Sequence, residues 1–418
     1  MITAVMIGAG NRGIGAYGFY AAKNPLDLMF VAVADPDPVR RAYFAEMHKI
    51  EAKHCFSGFQ ELLAEPRLAD ACFVCTQDNM HLEPALTAMQ QGYDVFLEKP
   101  MAADPKDCIR LGAAAKECRV ELMIGHVLRY TPFFATIKHL LDSGRIGRLM
   151  SIQHNENVSY WHQAHSYVRG NWANSKRSSP MILAKSCHDL DLIAWFAKAK
   201  PVRISSFGSL SYFNAENAPL GAPAYCLDGC PVAATCPYHA KKVYLPAADW
   251  MKLPVSNDLS DGAILKAIEK GPYGRCVYRC DNDVVDHQVV AIEFEGGLTA
   301  SFTMTAFTHE NTRTIKLMGT HGELRGHLDK NIVEVYVFGE NGDQPVEVIH
   351  TELSDAGHGG GDDGIMKAFV ELVEKGLHRD VADVGQSVLA HLLAFAAETS
   401  RTTGKTVEYD AFVRALEA

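Results

Sequence analysis

No run of about 20 consecutive apolar residues occurs in the chain, so no membrane-spanning helix is expected. Positive charge is in deficit: 40 Lys and Arg stand against 50 Asp and Glu, a net charge of −10. That balance builds no basic footprint and argues against nucleic acid as a partner. Internal repeats and low-complexity segments are missing too, which sets aside solenoids and tethers. Nor is there room for a charged leader and cleavage site, because Met1-Ile2-Thr3-Ala4-Val5 leads straight into an apolar strand. The expected compartment is therefore the cytoplasm. Its 11 cysteines then read as thiols or metal ligands rather than disulfides. What is present is ordinary globular composition, 48% hydrophobic and 22% charged, and 418 residues suit two domains.

The stretch that organises the rest is near the start. Val5-Met6-Ile7 reads as a buried strand, and Gly8-Ala9-Gly10-Asn11-Arg12-Gly13 follows with the spacing G-x-G-x-x-G. Gly8 permits the tight turn, Gly10 lets backbone approach a pyrophosphate, and Gly13 lets the following helix pack on the strand. Backbone N–H groups around Asn11 and Arg12 then face the phosphates at a helix N-terminus. Such a triplet alone is weak; its neighbours decide. Residues 28–34 form an almost unbroken apolar run, as a strand buried on both faces should, and Asp35 ends it 22 residues after Gly13. A carboxylate there suits the adenosine ribose hydroxyls and favours NAD over NADP, although Arg40 and Arg41 lie close by. The competing role for Asp35 is a helix cap within Asp35-Pro36-Asp37-Pro38.

Further strands are expected at 71–75 and 94–97, alternating with helices in βαβ units. The segments just after them, Thr76 to His81 with Asn79, and Glu98-Lys99-Pro100, fall at the carboxyl edge of the same parallel sheet, where ligands bind.

Glu98-Lys99-Pro100, the 76–81 segment, Gly125-His126-Val127-Leu128-Arg129-Tyr130-Thr131-Pro132 and Gly144-Arg145-Ile146-Gly147 together resemble the Gfo/Idh/MocA oxidoreductase family, the relatives of glucose–fructose oxidoreductase and inositol dehydrogenase. The resemblance covers roughly residues 1–200. It implies that Lys99 sits by the nicotinamide and the reacting hydroxyl, that Glu98 lies against the cofactor, and that Trp172 approaches the nicotinamide. It also makes His188, in His188-Asp189-Leu190-Asp191, the active-site histidine of an H-x-x-D pattern. One departure stands out: many relatives carry an aspartate four residues before this histidine, and here Ala184 stands there with Lys185 beside it. The proton path is then either shorter or routed through Lys185. Independently of the family, a helix over 180–199 would set Lys185, His188 and Asp191 on neighbouring faces, with an acid orienting the histidine as general base.

The fold expected is α/β: an N-terminal Rossmann doubly wound parallel sheet over 1–124, then a C-terminal α+β domain over 125–418 with an open, mostly antiparallel sheet. Arg129, His165, Arg169, Lys185 and His188 are the expected substrate contacts, with His162 and Asn171 nearby. Asp286, His287 and Gln288 are expected along the cleft, and Asp362 or Asp363 as a cap for a helix beginning near 364. An insertion over about 214–283 carries Cys226, Cys230 and Cys236, with Cys276 and Cys280 beyond. Three close cysteines and a distant fourth fit a structural zinc site, though the spacing is looser than paired C-x-x-C, and thiols without metal fit equally well; iron–sulfur ligation is the less favoured alternative. The function expected is NAD-dependent oxidation of a sugar, inositol or polyol hydroxyl. The alternative is an NAD-dependent glycoside hydrolase that oxidises, eliminates, adds water and reduces again. A homodimer or homotetramer is expected from the open sheet face.

Overall fold

In the computed structural model, which describes residues 1–352, 357–376 and 383–417, the first apolar run forms strand β1 (Ile2–Ile7) and its side chains are almost wholly buried. Five more strands lie parallel to it: β2 (Leu28–Ala34), β3 (Cys55–Phe56), β4 (Ala71–Val74), β5 (Asp94–Leu97) and β6 (Leu122–Ile124). Their order is β3-β2-β1-β4-β5-β6, a doubly wound sheet whose direction of growth reverses beside β1. All the connections start from one edge, so residues after β1, β2, β4 and β5 converge there.

The second sheet has nine strands. It is built from β7 (Leu149–Ser159), β8 (Pro201–Ser209), β9 (His287–Phe294), β10 (Thr299–Thr308), β11 (Thr312–Gly319), β12 (Gly322–His327), β13 (Ile332–Val337), β14 (Glu347–His350) and β15 (Val407–Glu408). The order is β14-β13-β12-β11-β7-β10-β9-β8-β15, antiparallel except where β7 lies parallel to β10. Period-two burial along β10, with Ala300, Phe302, Met304 and Ala306 buried, marks one covered face, and the helices Cys187–Ala197 and Val384–Thr403 pack on this sheet at β7 and β8. No helix among the described residues is long and apolar enough to cross a membrane.

Three features depart from the sequence-based picture. The first turn after the glycine loop is a wide π-type turn, Gly13–Gly18, before the α-helix Phe19–Lys23. The expected helix over 180–199 is two pieces, Met181–Ala184 and Cys187–Ala197, broken at Lys185 and Ser186. The first sheet is also not completed by residues 1–124. Helix Gly361–Lys375 returns to it, and Phe369 packs edge-on against Phe73 and Phe96 at 5.3 and 5.4 Å.

Candidate active site

At the carboxyl edge of the first sheet, Gly8 has φ +92° and a Cβ there would lie 2.6 Å from the Cys75 carbonyl oxygen. A Cβ on Gly13 would meet the Gly8 carbonyl oxygen at 2.3 Å. Both glycines are therefore dictated by packing inside the loop. Gly10 differs: a Cβ there meets nothing within 4 Å, so its open side is where a pyrophosphate would be cradled. Asn11 is exposed at the tip of the same loop.

Asp35 is buried at the end of β2, and its carboxylate accepts from the Ala9 N–H at 2.8 Å and from Arg40 at 2.9 Å. The capping role falls to Asp37, which accepts from the N–H groups of Val39 and Arg40 at the start of helix Pro38–His48. Asp35 is thus left to join the glycine loop to the neighbouring strand end. This chemistry suits a dinucleotide: an open glycine for the phosphates, an acid for the ribose.

Several expected cofactor contacts are engaged inward instead. Arg12 donates from Nε to Glu98 at 2.7 Å and from both terminal nitrogens to Asp362 at 2.9 Å, and also reaches the Tyr17 hydroxyl. Its guanidinium is a clamp between the two domains, not a free phosphate ligand. Glu98 is saturated by Arg12, the Tyr17 hydroxyl and the Lys99 N–H. Burial pushes its pKa up, but Arg12 and Lys99 outweigh that and hold the carboxyl below its usual range. His81 bonds the carbonyls of Pro100 and Thr76 and so fixes one strand-end loop to the other. Thr76 donates to the Met80 carbonyl, and Asn79 stays exposed at the edge. Asp362 makes no helix cap; it accepts from Arg12 and lies 3.1 Å from His358 Nδ1.

The chemistry-bearing residues gather beside this edge. Lys99 extends from the end of β5 and donates to the Ala184 carbonyl at 2.7 Å, exactly where the predicted helix breaks. Its ammonium stands 5.9 Å from the centre of the Trp172 ring, and the Trp172 indole donates to Asp78 at 3.3 Å. Asp78, which sequence reasoning did not single out, also accepts from Ser178 and Ser179 at 2.7 Å and binds the second domain's 172–179 segment to the first sheet. His188 is 5% exposed, and its Nδ1 is buried with no hydrogen-bond partner among the described residues. Burial, then the charge of Lys99 and the neighbouring His126, hold it well below the usual imidazole pKa, so it is neutral at pH 7. The His358 ring lies 6.2 Å from it.

Lys185 comes to the same place on the helix break, its Nζ 3.4 Å from Glu156. Burial, reinforced by Arg313 and Lys99, brings this ammonium below its usual pKa against the opposing pull of Glu156. Arg313 bridges Glu156 and Asp189, and Asp189 also bonds His154 at 2.7 Å, so a buried charge network stands behind Lys185. His162, whose pKa is lowered by burial and then by Lys185, adds a ring held by Asn311 at 2.8 Å.

Other expected contacts lie elsewhere. Asp191 does not orient His188; it receives Arg129 in a two-pronged pair at 2.7 and 2.6 Å, with His126 Nδ1 at 3.0 Å. A buried guanidinium requires such a carboxylate, and Arg129 is thereby withheld from substrate. His165 stacks on Tyr273 and meets the Tyr244 hydroxyl, and Arg169 bonds the Arg275 and Tyr238 carbonyls, both within the insertion. Asn171 is exposed. Asp286 and Gln288 are fully buried, Asp286 accepting the N–H groups of Ser211 and Tyr212 at the root of the insertion, and Gln288 donating to Ser206. Cys226, Cys230 and Cys236 surround one small cavity together with Cys276.

Residues 2–126 match the NAD-binding Rossmann fold of the GFO_IDH_MocA oxidoreductase family, and residues 138–409 match that family's C-terminal alpha/beta domain. The chain belongs to the Gfo/Idh/MocA oxidoreductase family. The protein YteT of Bacillus subtilis (strain 168) is 24% identical, with 78% of each chain covered. The inositol 2-dehydrogenase/D-chiro-inositol 3-dehydrogenase of Lactiplantibacillus plantarum is 28% identical, covering 40% of this chain and 45% of that protein. The 2,7-anhydro-N-acetylneuraminate hydratase of Escherichia coli (strain K12) is 26% identical over 49% of this chain and 53% of its own length. With these last two the match spans about half of the relative. Among solved structures, levoglucosan dehydrogenase in complex with NADH and levoglucosan superposes with a TM-score of 0.70 at 17% identity, covering 98% of this chain and 99% of that one. That likeness is one of fold.

Proposed function

We propose that this oxidoreductase takes a hydride from a ring carbon bearing a hydroxyl, in a sugar, inositol or related polyol, with NAD as acceptor. The observation that carries this reading is the convergence of Lys99, Lys185 and the unpartnered, neutral His188 beside the glycine-loop edge. Inositol dehydrogenases among its relatives support the substrate class. Backbone around Gly10 and the Asp35 carboxylate would hold the cofactor, which supplies the hydride-accepting carbon when bound. His188 accepts the hydroxyl proton, and Lys99 hydrogen-bonds the oxygen as negative charge develops on it. Lys185, held by Glu156, carries the proton onward to solvent. Trp172 shields Lys99 from water, while His162 and His358 offer ring nitrogens to further hydroxyls.

The test is NADH formation across a panel of polyols with Lys99→Ala. Turnover is expected to vanish while NAD binding persists; unaltered turnover refutes the assignment. NAD is proposed over NADP because Asp35 repels a 2′-phosphate, and Arg40 is already paired to it.

A second reading, redox-neutral glycoside cleavage, is favoured by one observation: a second buried base, Lys185, beside the first. Oxidation of a ring hydroxyl acidifies the adjacent C–H, Lys185 removes that proton, and the neighbouring leaving group departs before water adds and the ketone is reduced. Incubation of glycosides in heavy water separates the two. Cleavage with deuterium at the adjacent carbon and no NADH supports this route, whereas NADH accumulation supports the dehydrogenase. We further assign the protein to the cytoplasm, which suits its unpaired cysteines, and to a homodimer or homotetramer formed through the open sheet face.

A further inference from the structure

The insertion between β8 and β9 carries Cys226, Cys230, Cys236 and Cys276, and these four line a single cavity with Arg169 and His239 on its wall. The loop carrying the first three has little regular structure. Cys276 is brought to them by a lone bridge, Tyr225 to Arg275, with the Cys226 N–H on the Gly274 carbonyl and the Cys276 N–H on the Ala224 carbonyl, both 2.9 Å. Cys280 is not on the wall; its thiol donates to the Cys276 carbonyl.

Arg169 demands an anion. It is 6% exposed, and Nε and Nη2 donate to the Arg275 and Tyr238 carbonyls at 2.7 Å, with Cys226 Sγ 3.5 Å from Nη2. Its Nη1 is buried with no hydrogen-bond partner among the described residues. None of these partners is a carboxylate. A buried guanidinium with only neutral partners is costly, and the groups facing it that can become negative are the Tyr244 phenol, whose pKa burial raises, and the thiols, Cys280 among them. Metal binding would deprotonate the ligating thiols, releasing their protons and leaving an anionic centre beside Arg169.

Size selects the metal. A single zinc at about 2.3 Å from each sulfur holds the four sulfurs roughly 3.8 Å apart. No three of these Sγ atoms lie mutually within 4.8 Å. An iron–sulfur cluster sits between more widely spaced thiolates. In the buried trio whose ligand atoms do lie that close, His126, Cys187 and His391, the His391 ring is already used on the Met101 N–H and the Ser387 carbonyl, and His126 Nδ1 faces Asp191 at 3.0 Å. We infer that Cys226, Cys230, Cys236 and Cys276 ligate an iron–sulfur cluster, with Arg169 as its counter-charge.

The test uses the full chain, purified without oxygen and reconstituted with equal amounts of ferrous and ferric iron and sulfide, then assayed for iron, acid-labile sulfide, zinc and visible absorption. About four irons and four sulfides per chain are expected, with a broad visible band. Cys230→Ser should lose most of the iron, Cys280→Ser should keep it, and Arg169→Met should lose more than Arg169→Lys. Retained NADH binding shows that each variant is folded. One zinc per chain without iron overturns the cluster. Absence of both metals overturns the centre, and equal iron loss in Cys230→Ser and Cys280→Ser overturns the ligand assignment.

Discussion

His188 combines two properties that seldom coexist: it is buried, and one ring nitrogen has no partner among the described residues. A neutral imidazole with a depressed pKa stays a proton acceptor to lower pH than a free one. The acidic limb of kcat/KM is therefore expected below the usual histidine value of about 6.5, and His188→Gln should lower kcat by ~10²–10⁴ with cofactor affinity kept. A pH–rate profile with its acidic limb at or above that value would contradict the burial argument. At Asp35 the expected outcome is a change of preference. Asp35→Ala removes the ribose acceptor and frees Arg40 for a 2′-phosphate, so NAD affinity should fall by ~10-fold or more while NADP affinity rises. Calorimetric titration with both nucleotides measures the two changes.

At the scale of elements, the glycine turn is rigidly specified. Gly8→Ala places a methyl 2.6 Å from the Cys75 carbonyl at a positive φ, and the strand–turn junction must shift to relieve it. Loss of cofactor binding and a lower melting temperature are expected together, read by thermal shift with and without NAD. This turn was legible in the sequence because apolar runs, glycine spacing and strand-end acids are local signals. The arginines were not. Arg12 meets Asp362, 350 positions away, and Arg129 meets Asp191; nothing in a sequence says which acid a guanidinium will find once folded. The same holds for the break at Lys185. Apolar periodicity predicts a continuous helix there, and a distant lysine ammonium on the Ala184 carbonyl marks where it stops.

For the whole molecule, buried neutral histidines set the acid limit of stability. Burial lowers His391 to about 3 and His165 to about 4. Below about pH 6.5 the unfolded chain takes up protons that the folded one refuses. Their stabilising contribution is thus complete above that value and is lost as pH falls towards the folded pKa values. Each such histidine adds a slope of ~1.4 kcal/mol per pH unit within that window, so denaturant midpoints should decline from pH 7 to pH 5. At the same scale, the open sheet face exposes Phe207 on β8 opposite Val289 on β9. Phe207→Glu is expected to shift the molecule towards monomer in light scattering, without touching the cleft.

The return of Phe369 to the first sheet also has a temporal side. During synthesis, residues 1–124 leave the ribosome more than two hundred residues before the helix that covers Phe73 and Phe96 is made. At ordinary elongation rates that interval is on the order of tens of seconds, during which an aromatic patch on a nascent sheet stands uncovered. Chaperone dependence of the newborn chain is therefore written into the order of its segments.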